Sequence, residues 1–165
     1  MESFGDYKKR LISYVGGEDP FSILKRTPVR LQKLFKKNAA AKWRHRAGSD
    51  QWSAAQILAH LAEGEMVLGF RIRLIASANG TPIQAFDQNA WVQNSDYLVR
   101  KPAESFALFQ LLRKNNLAFL KQLKPEAWTH YGVHSERGKE TLTQVAALYA
   151  GHDLNHMRQL EERLQ

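Results

Sequence analysis

The chemistry most legible in this chain belongs to three histidines. His152 and His156 stand four apart in Gly151-His152-Asp153-Leu154-Asn155-His156-Met157-Arg158-Gln159, and His60 lies in a second amphipathic segment, Ala55-Gln56-Ile57-Leu58-Ala59-His60-Leu61-Ala62-Glu63-Gly64-Glu65. Side chains four apart on a helix lie one above the other, so two imidazoles can converge on one ion while a third ligand arrives from another helix. Three neutral nitrogens leave a coordination position open to water or substrate, which separates a working metal site from a structural one.

Periodicity gives the direction of the pair. At about 100° per residue, Val145, Leu148, Tyr149, His152, His156 and Leu160 fall on one side, so both histidines point where leucines should. His60 stands roughly a quarter-turn from the stripe of Leu58, Leu61, Glu65, Leu68, Ile72 and Ile75, beside Ile57, Gly64 and Val67. Its helix must therefore present a broad face that touches two neighbours. A lone inward histidine is more often a core group satisfied by one hydrogen bond, but burying two imidazoles side by side without such a purpose is costly.

Other polar groups near these segments have plainer expectations. Glu65 sits in the apolar stripe and is expected to form a buried ion pair with an arginine, with an orienting role or general-base duty as alternatives. Glu63 is expected on the solvated side. Asp153 and Asn155 point away from the histidine stripe, toward neighbouring helices. His134 either lines the mouth of a pocket or stabilises a turn near Gly138, and His130 and His45 offer less. Trp52 occupies a hydrophobic staple position and is expected in the core, whereas Trp91 and Trp128 are expected to cover the ends of the fold. No catalytic residue is assigned beyond the three candidate ligands.

The elements that position these groups read as helices throughout. Phe4, Tyr7, Leu11 and Tyr14 mark a short first helix ended by Gly16-Gly17, and Asp19-Pro20 caps a second run in which Thr27-Pro28 predicts a break and restart. A polar loop from about Lys37 to Asp50 follows. Ser53-Ala54-Ala55-Gln56 forms a capping box that opens a long helix to about Ala78, stopped by Asn79-Gly80-Thr81-Pro82. Residues 83–101, with Trp91, Val92, Tyr97 and Leu98, read as a covered crossover containing a helical turn. Pro102 starts another long helix that Lys124-Pro125 breaks, and Thr141 or Thr143 caps the last. Four main helices with two long connections predict an all-α antiparallel bundle with crossovers, preceded by a short N-terminal helix and forming one domain over residues 1–165.

Composition narrows the function. At 165 residues and 44% hydrophobic content the chain is long enough to bury a core. It has no run of 18 or more apolar residues, and Met1-Glu2-Ser3-Phe4-Gly5-Asp6 lacks a basic leader followed by an apolar stretch, so no membrane partner and a cytoplasmic location are expected. Zero cysteines exclude disulfides, thiolate metal sites and a cysteine nucleophile. The formal charge is +8, and all of the excess lies in residues 1–46, with twelve Lys/Arg against four Asp/Glu. Lys25, Arg26, Arg30, Lys33, Lys36, Lys37, Lys42, Arg44 and Arg46 there read chiefly as a solvated or oligomer-contact face, and a nucleic-acid footprint ranks below that because no nucleic-acid motif accompanies them.

The chain resembles the DinB-like (YfiT-like) metalloenzymes. The resemblance lies in Gln51-Trp52-Ser53-Ala54-Ala55-Gln56-Ile57-Leu58-Ala59-His60-Leu61 with Glu65 following. It lies also in His134-Ser135-Glu136-Arg137-Gly138-Lys139-Glu140-Thr141-Leu142 running into the segment of His152 and His156, and in the opening Asp19-Pro20-Phe21. It implies a four-helix bundle of up-down-down-up topology, often a homodimer, and a divalent metal, zinc or nickel, on the positions of His60, His152 and His156. Relatives of this kind include transferases and isomerases that use low-molecular-weight thiols, and others carried only as metal-dependent hydrolases. The leading expectation is thus a metal-dependent enzyme acting on a small molecule, as hydrolase or thiol S-transferase. A non-enzymatic metal-binding or stress-response protein is second, and a nucleic-acid partner third.

Overall fold

The computed structural model describes residues 3–46, 48, 51–95, 97 and 99–165. Met1, Glu2, Asp50 and Leu98, which entered the sequence reading, lie outside them. Caps set the helix boundaries. Ser3 accepts the Asp6 N–H and Gly16, at φ 60°, closes α1 (Phe4–Val15). Asp19 accepts from the N–H groups of Phe21 and Ser22 to open α2 (Pro20–Lys37). Reciprocal capping boxes, Ser53 with Gln56 and Thr141 with Gln144, start the two long helices that carry the histidines. These are α4 (Ala54–Ser77) and α7 (Leu142–Arg163). Between them lie α5 (Gln88–Asn94) and α6 (Pro102–Gln122), and α3 (Ala40–Arg44) precedes them.

Helices α2, α4, α6 and α7 form the bundle, in which α4 and α2 each pack on both α6 and α7. Two apolar clusters fix the directions. One joins Ile23 and Leu24 of α2, Leu68, Ile72 and Ile75 of α4, Leu120 of α6 and Val145 and Tyr149 of α7. The other joins Leu31, Leu58 and Leu61, Phe109, and Met157 and Leu160. Low-numbered residues of α4 and α6 therefore share an end with high-numbered residues of α2 and α7, and the topology is up-down-down-up. Parallel neighbours α4 and α6 require a connection that returns along the bundle, which is the crossover over 78–101. Helix α1 packs outside, on α7. It seats so closely that a Cβ on Gly151 would lie 2.0 Å from the Leu11 carbonyl oxygen.

Three features depart from the sequence reading. Helix α2 runs through Pro28 without a break. Proline deprives the Leu24 carbonyl, four residues back, of its helical donor, and Arg113 Nη1 of α6 supplies one at 2.8 Å. The stretch read as a polar loop contains α3, whose Trp43 is wholly buried against Phe35, with ring centroids 4.7 Å apart. The connections also hold a small sheet: β1 (Thr81–Ile83) runs parallel to β2 (Tyr131–His134), which pairs antiparallel with β3 (Gly138–Thr141). Strands of three or four residues are too short for alternation to announce them. The sheet lies at the end of the bundle beneath Ile75 and delivers the chain into α7 at Thr141.

Candidate metal centre

The broad inward face expected of α4 is present, with a nearly continuous buried run from Ala54 to Glu65. It brings His60 against α7, and Gly64 faces the same helix, where an added Cβ would make ordinary van der Waals contact with His152 Cε1 at 3.7 Å. His60 Nε2 lies 3.0 Å from His152 Nε2, and the ring centroids of His152 and His156 are 4.3 Å apart. One nitrogen from each of the three rings falls within 4.8 Å of the others. Gln159, one turn past His156, has its Oε1 2.7 Å from His156 Nδ1. The amide oxygen accepts the Nδ1–H, which leaves the Nε2 lone pair free. The Trp52 ring, partly buried, packs against His60 at 5.2 Å.

Electrostatics keep these rings neutral. Burial, reinforced by His156, pushes His60 down to about 3. Burial pushes His156 to about 4 against the opposing pull of its Gln159 hydrogen bond. Burial and the neighbouring imidazoles hold His152 well below the ordinary histidine range. Three desolvated neutral imidazoles facing one another offer lone pairs and few protons.

Glu65 forms the ion pair expected of it, with Arg113. Arg113 Nη2 donates to Glu65 Oε1 at 2.8 Å, and Asn116 Nδ2 to Oε2 at 3.1 Å. Asp153 faces away from the histidines and joins the same arginine, while Asn155 Oδ1 accepts from Arg10 of α1. Glu63 corrects the reading that placed it in solvent. It is buried, accepts from the Tyr97 hydroxyl at 2.5 Å and pairs with Arg100 at 3.1 Å, because the crossover folds over the outer side of α4. Of the basic first quarter, Arg26 pairs with Glu18 and Arg30 with Glu161, while Lys25, Lys33, Lys36 and Lys37 are exposed.

A cavity of about 750 Å³ opens beside His60 and His152. Phe4, Tyr7 and Leu11 of α1, Phe86 of the crossover, and Leu148 and Tyr149 of α7 give it largely apolar walls. Its far corner holds Arg71, His134 and Arg137. His134 serves in both places foreseen for it, at the cavity wall and in the turn, where its Nδ1 accepts the Glu136 N–H at 3.2 Å. Trp128 packs on Phe21, and Trp91 packs on Phe86 away from the histidines. Arg71 and Gln159 are the residues the sequence reading passes over. Arg71 follows His60 by eleven residues, three helical turns, which is the one signal that puts them on a common face.

The DinB superfamily profile matches residues 23–160. The chain is 26% identical over 161 residues to YfiT of Bacillus subtilis, provisionally named a metal-dependent hydrolase, covering 96% of this chain and 90% of that protein. It is 27% identical over 141 residues to a provisionally named metal-dependent hydrolase of Oceanobacillus iheyensis, covering 85% and 77%. In three dimensions it matches the solved YfiT structure of B. subtilis, described as having an unusual four-helix bundle topology, with TM-score 0.80 and 21% identity over 99% of this chain and 88% of the other. A mycothiol-dependent maleylpyruvate isomerase shares the fold with TM-score 0.64 and 12% identity over 93% and 62%.

Proposed function

The chain belongs to the DinB superfamily, and on that premise we propose that it is a divalent-metal-dependent hydrolase of small molecules, with His60, His152 and His156 as the metal ligands. The observation that carries the reading is the convergence of three neutral imidazole nitrogens within 4.8 Å. Nitrogens bound at 2.0–2.1 Å around a tetrahedral ion stand about 3.3 Å apart, and the His60–His152 separation of 3.0 Å is close to that value. The donor set fits zinc or nickel equally well. Such an ion, when bound, supplies a Lewis acid that makes a water or thiol nucleophilic near neutral pH.

The residues of the chain prepare that chemistry. Gln159 fixes the tautomer and orientation of His156. Trp52 packs on His60 and holds its ring angle. Helix α1 and Phe86 enclose the substrate space and limit water there. Glu65 is no free base, since Arg113 and Asn116 occupy its two oxygens. A metal serving only to hold helices together would need no cavity, whereas here His60 and His152 both line one. Transfer to a low-molecular-weight thiol is the second reading, favoured by the fold shared with the mycothiol-dependent isomerase.

The test is elemental mass spectrometry of protein purified without a histidine tag, alongside His60→Ala and His152→Ala. About one zinc or nickel per chain, lost in both variants, is the expected result and leads to assays with hydrolysable esters and amides and with thiols. Failure to take up either metal after its addition rejects the proposal.

A further inference from the structure

We infer that Arg71 is a carboxylate-binding residue of the cavity, so that the substrate carries its reacting group at the histidines and a carboxylate at Arg71. The inference names a substrate class for the centre proposed above and rests on that reading, although the carboxylate contact itself needs no metal.

Arg71 is 6% exposed and lines the cavity. A buried guanidinium is normally matched by a carboxylate, since desolvating the charge unpaired is expensive. The other buried arginine obeys that rule, since Arg113 has Glu65 and Asp153, and the partly buried Arg137 has Glu140, through two hydrogen bonds of 2.9 Å. Arg71 meets no carboxylate among the described residues. Its Nη2 donates to the Gln84 carbonyl at 2.9 Å and faces His134 Nε2 at 3.2 Å, and its Nη1 reaches only the Tyr149 hydroxyl at 3.5 Å, the outer limit of a hydrogen bond. The group is held in place, with the Phe86 ring 5.7 Å from its central carbon. A cation held there by neutral partners, and open to a cavity, is one whose counter-ion comes from outside the chain.

Geometry sets the length of the ligand. Arg71 stands three turns beyond His60 on the same face of α4, and the interval between its guanidinium and the imidazoles is spanned by one side chain, that of Tyr149. Tyr149 lies between the two ends, its ring 6.0 Å from that of His152 and its hydroxyl against Arg71. Burial together with Arg137 and Arg71 pushes His134 down to about 4, which keeps it neutral, and Glu140 pairs with both Arg137 and Lys8. Arg71 is thus the cation of this corner that meets no carboxylate among the described residues, and its planar guanidinium beside a hydroxyl donor suits a carboxylate, which it can grip as a fork. The apolar walls of Leu11, Phe86 and Leu148 suit a hydrocarbon stretch between the two ends.

The experiment compares hexanoate with hexanamide by isothermal titration calorimetry, on metal-free and on zinc-loaded protein, for wild type, Arg71→Gln and Arg71→Lys. In metal-free wild type, hexanoate should bind at least about tenfold more tightly than hexanamide, the range of a charge-assisted hydrogen bond. The preference should vanish in Arg71→Gln and return in part in Arg71→Lys. A purely structural Arg71 would alter thermal stability without altering the acid-to-amide ratio. Equal binding of the two compounds by metal-free wild type, or a preference that survives in Arg71→Gln, overturns the inference. Because the metal-free arm reads Arg71 alone, failure of the zinc-loaded arm to take up metal counts against the metal centre and leaves the carboxylate result intact.

Discussion

Arg113 on α6 and Asp153 on α7 meet as two parallel hydrogen bonds, Nη1 to Oδ2 at 2.6 Å and Nη2 to Oδ1 at 2.9 Å, with both side chains buried. The pair lies between the two apolar clusters, and Asp153 is the residue immediately after His152. The same guanidinium takes in Glu65 of α4 and the Leu24 carbonyl of α2, so one side chain touches all four bundle helices. Removing it leaves two buried carboxylates unpaired. Arg113→Leu is expected to cost about 3–5 kcal/mol of stability, measured by urea unfolding. Replacing Arg113, Glu65 and Asp153 together with apolar residues should cost much less than the single change.

Gln159 is expected to act on metal affinity and not on folding. Gln159→Leu removes the acceptor for His156 Nδ1–H and frees the ring to turn. Affinity for zinc should fall about 10- to 100-fold, read by competition with a chromophoric chelator, while the melting temperature of the metal-free protein changes little.

The buried imidazoles also set a pH dependence. In the unfolded chain each histidine takes up a proton below about 6.5, whereas in the fold His60 does so only near 3 and His156 near 4. A folded-state value below the unfolded one gives stability that is complete above pH 6.5 and lost as the pH falls. The metal-free protein should therefore lose stability steadily from pH 6.5 toward 4, at up to about 1.4 kcal/mol per pH unit for each ring that stays neutral. The contribution of His156 should level off near 4 and that of His60 near 3. Denaturant midpoints across that range check the slope. His156→Phe should flatten it.

Helix α1 closes the cavity only because residue 151 has no side chain. A Cβ there would lie 2.0 Å from the Leu11 carbonyl oxygen and 2.5 Å from its carbon, both backbone atoms that cannot turn aside. Gly151→Ala is expected to displace α1 and cost about 1–3 kcal/mol. It should speed amide exchange across residues 4–15 while α4 and α6 stay protected, as hydrogen-exchange mass spectrometry would show.

Glu63 ties the crossover to the bundle through Tyr97 and Arg100. In Glu63→Ala both the Tyr97 hydroxyl and Arg100 lose this carboxylate. About 1–3 kcal/mol of local stability should be lost, with faster proteolysis between residues 84 and 101 and unchanged metal content.

Local and periodic information was sufficient for much of this protein. The cap at Ser53, the helix stop at Asn79-Gly80-Thr81-Pro82, and the placing of His152 and His156 four apart on an apolar stripe all depend on residues within one or two turns of each other, and the sequence alone determined them, whereas it left the cap of the last helix open between Thr141 and Thr143 and the structure chose Thr141. The partner of Glu65 was legible as a type, an arginine, but not as Arg113, because the two lie 48 residues apart and only the packing of α6 on α4 selects it. Pro28 reads as a break in any local scheme, and it is tolerated because that distant arginine satisfies the carbonyl it orphans. Glu63 reads as solvated because the helix carrying it has a polar side, and the returning crossover buries that side. The short strands follow the same logic, since Ile83 pairs with His134 across some fifty residues, too few pairs to leave a periodic trace. The meeting of His60 with the α7 pair belongs to the tertiary structure, because it depends on how closely α4 and α7 pack, which no single segment encodes. Arg71 shares a face of α4 with His60 by its eleven-residue spacing, but only the folded crossover and sheet bring it to the same cavity beside the Gln84 carbonyl and His134.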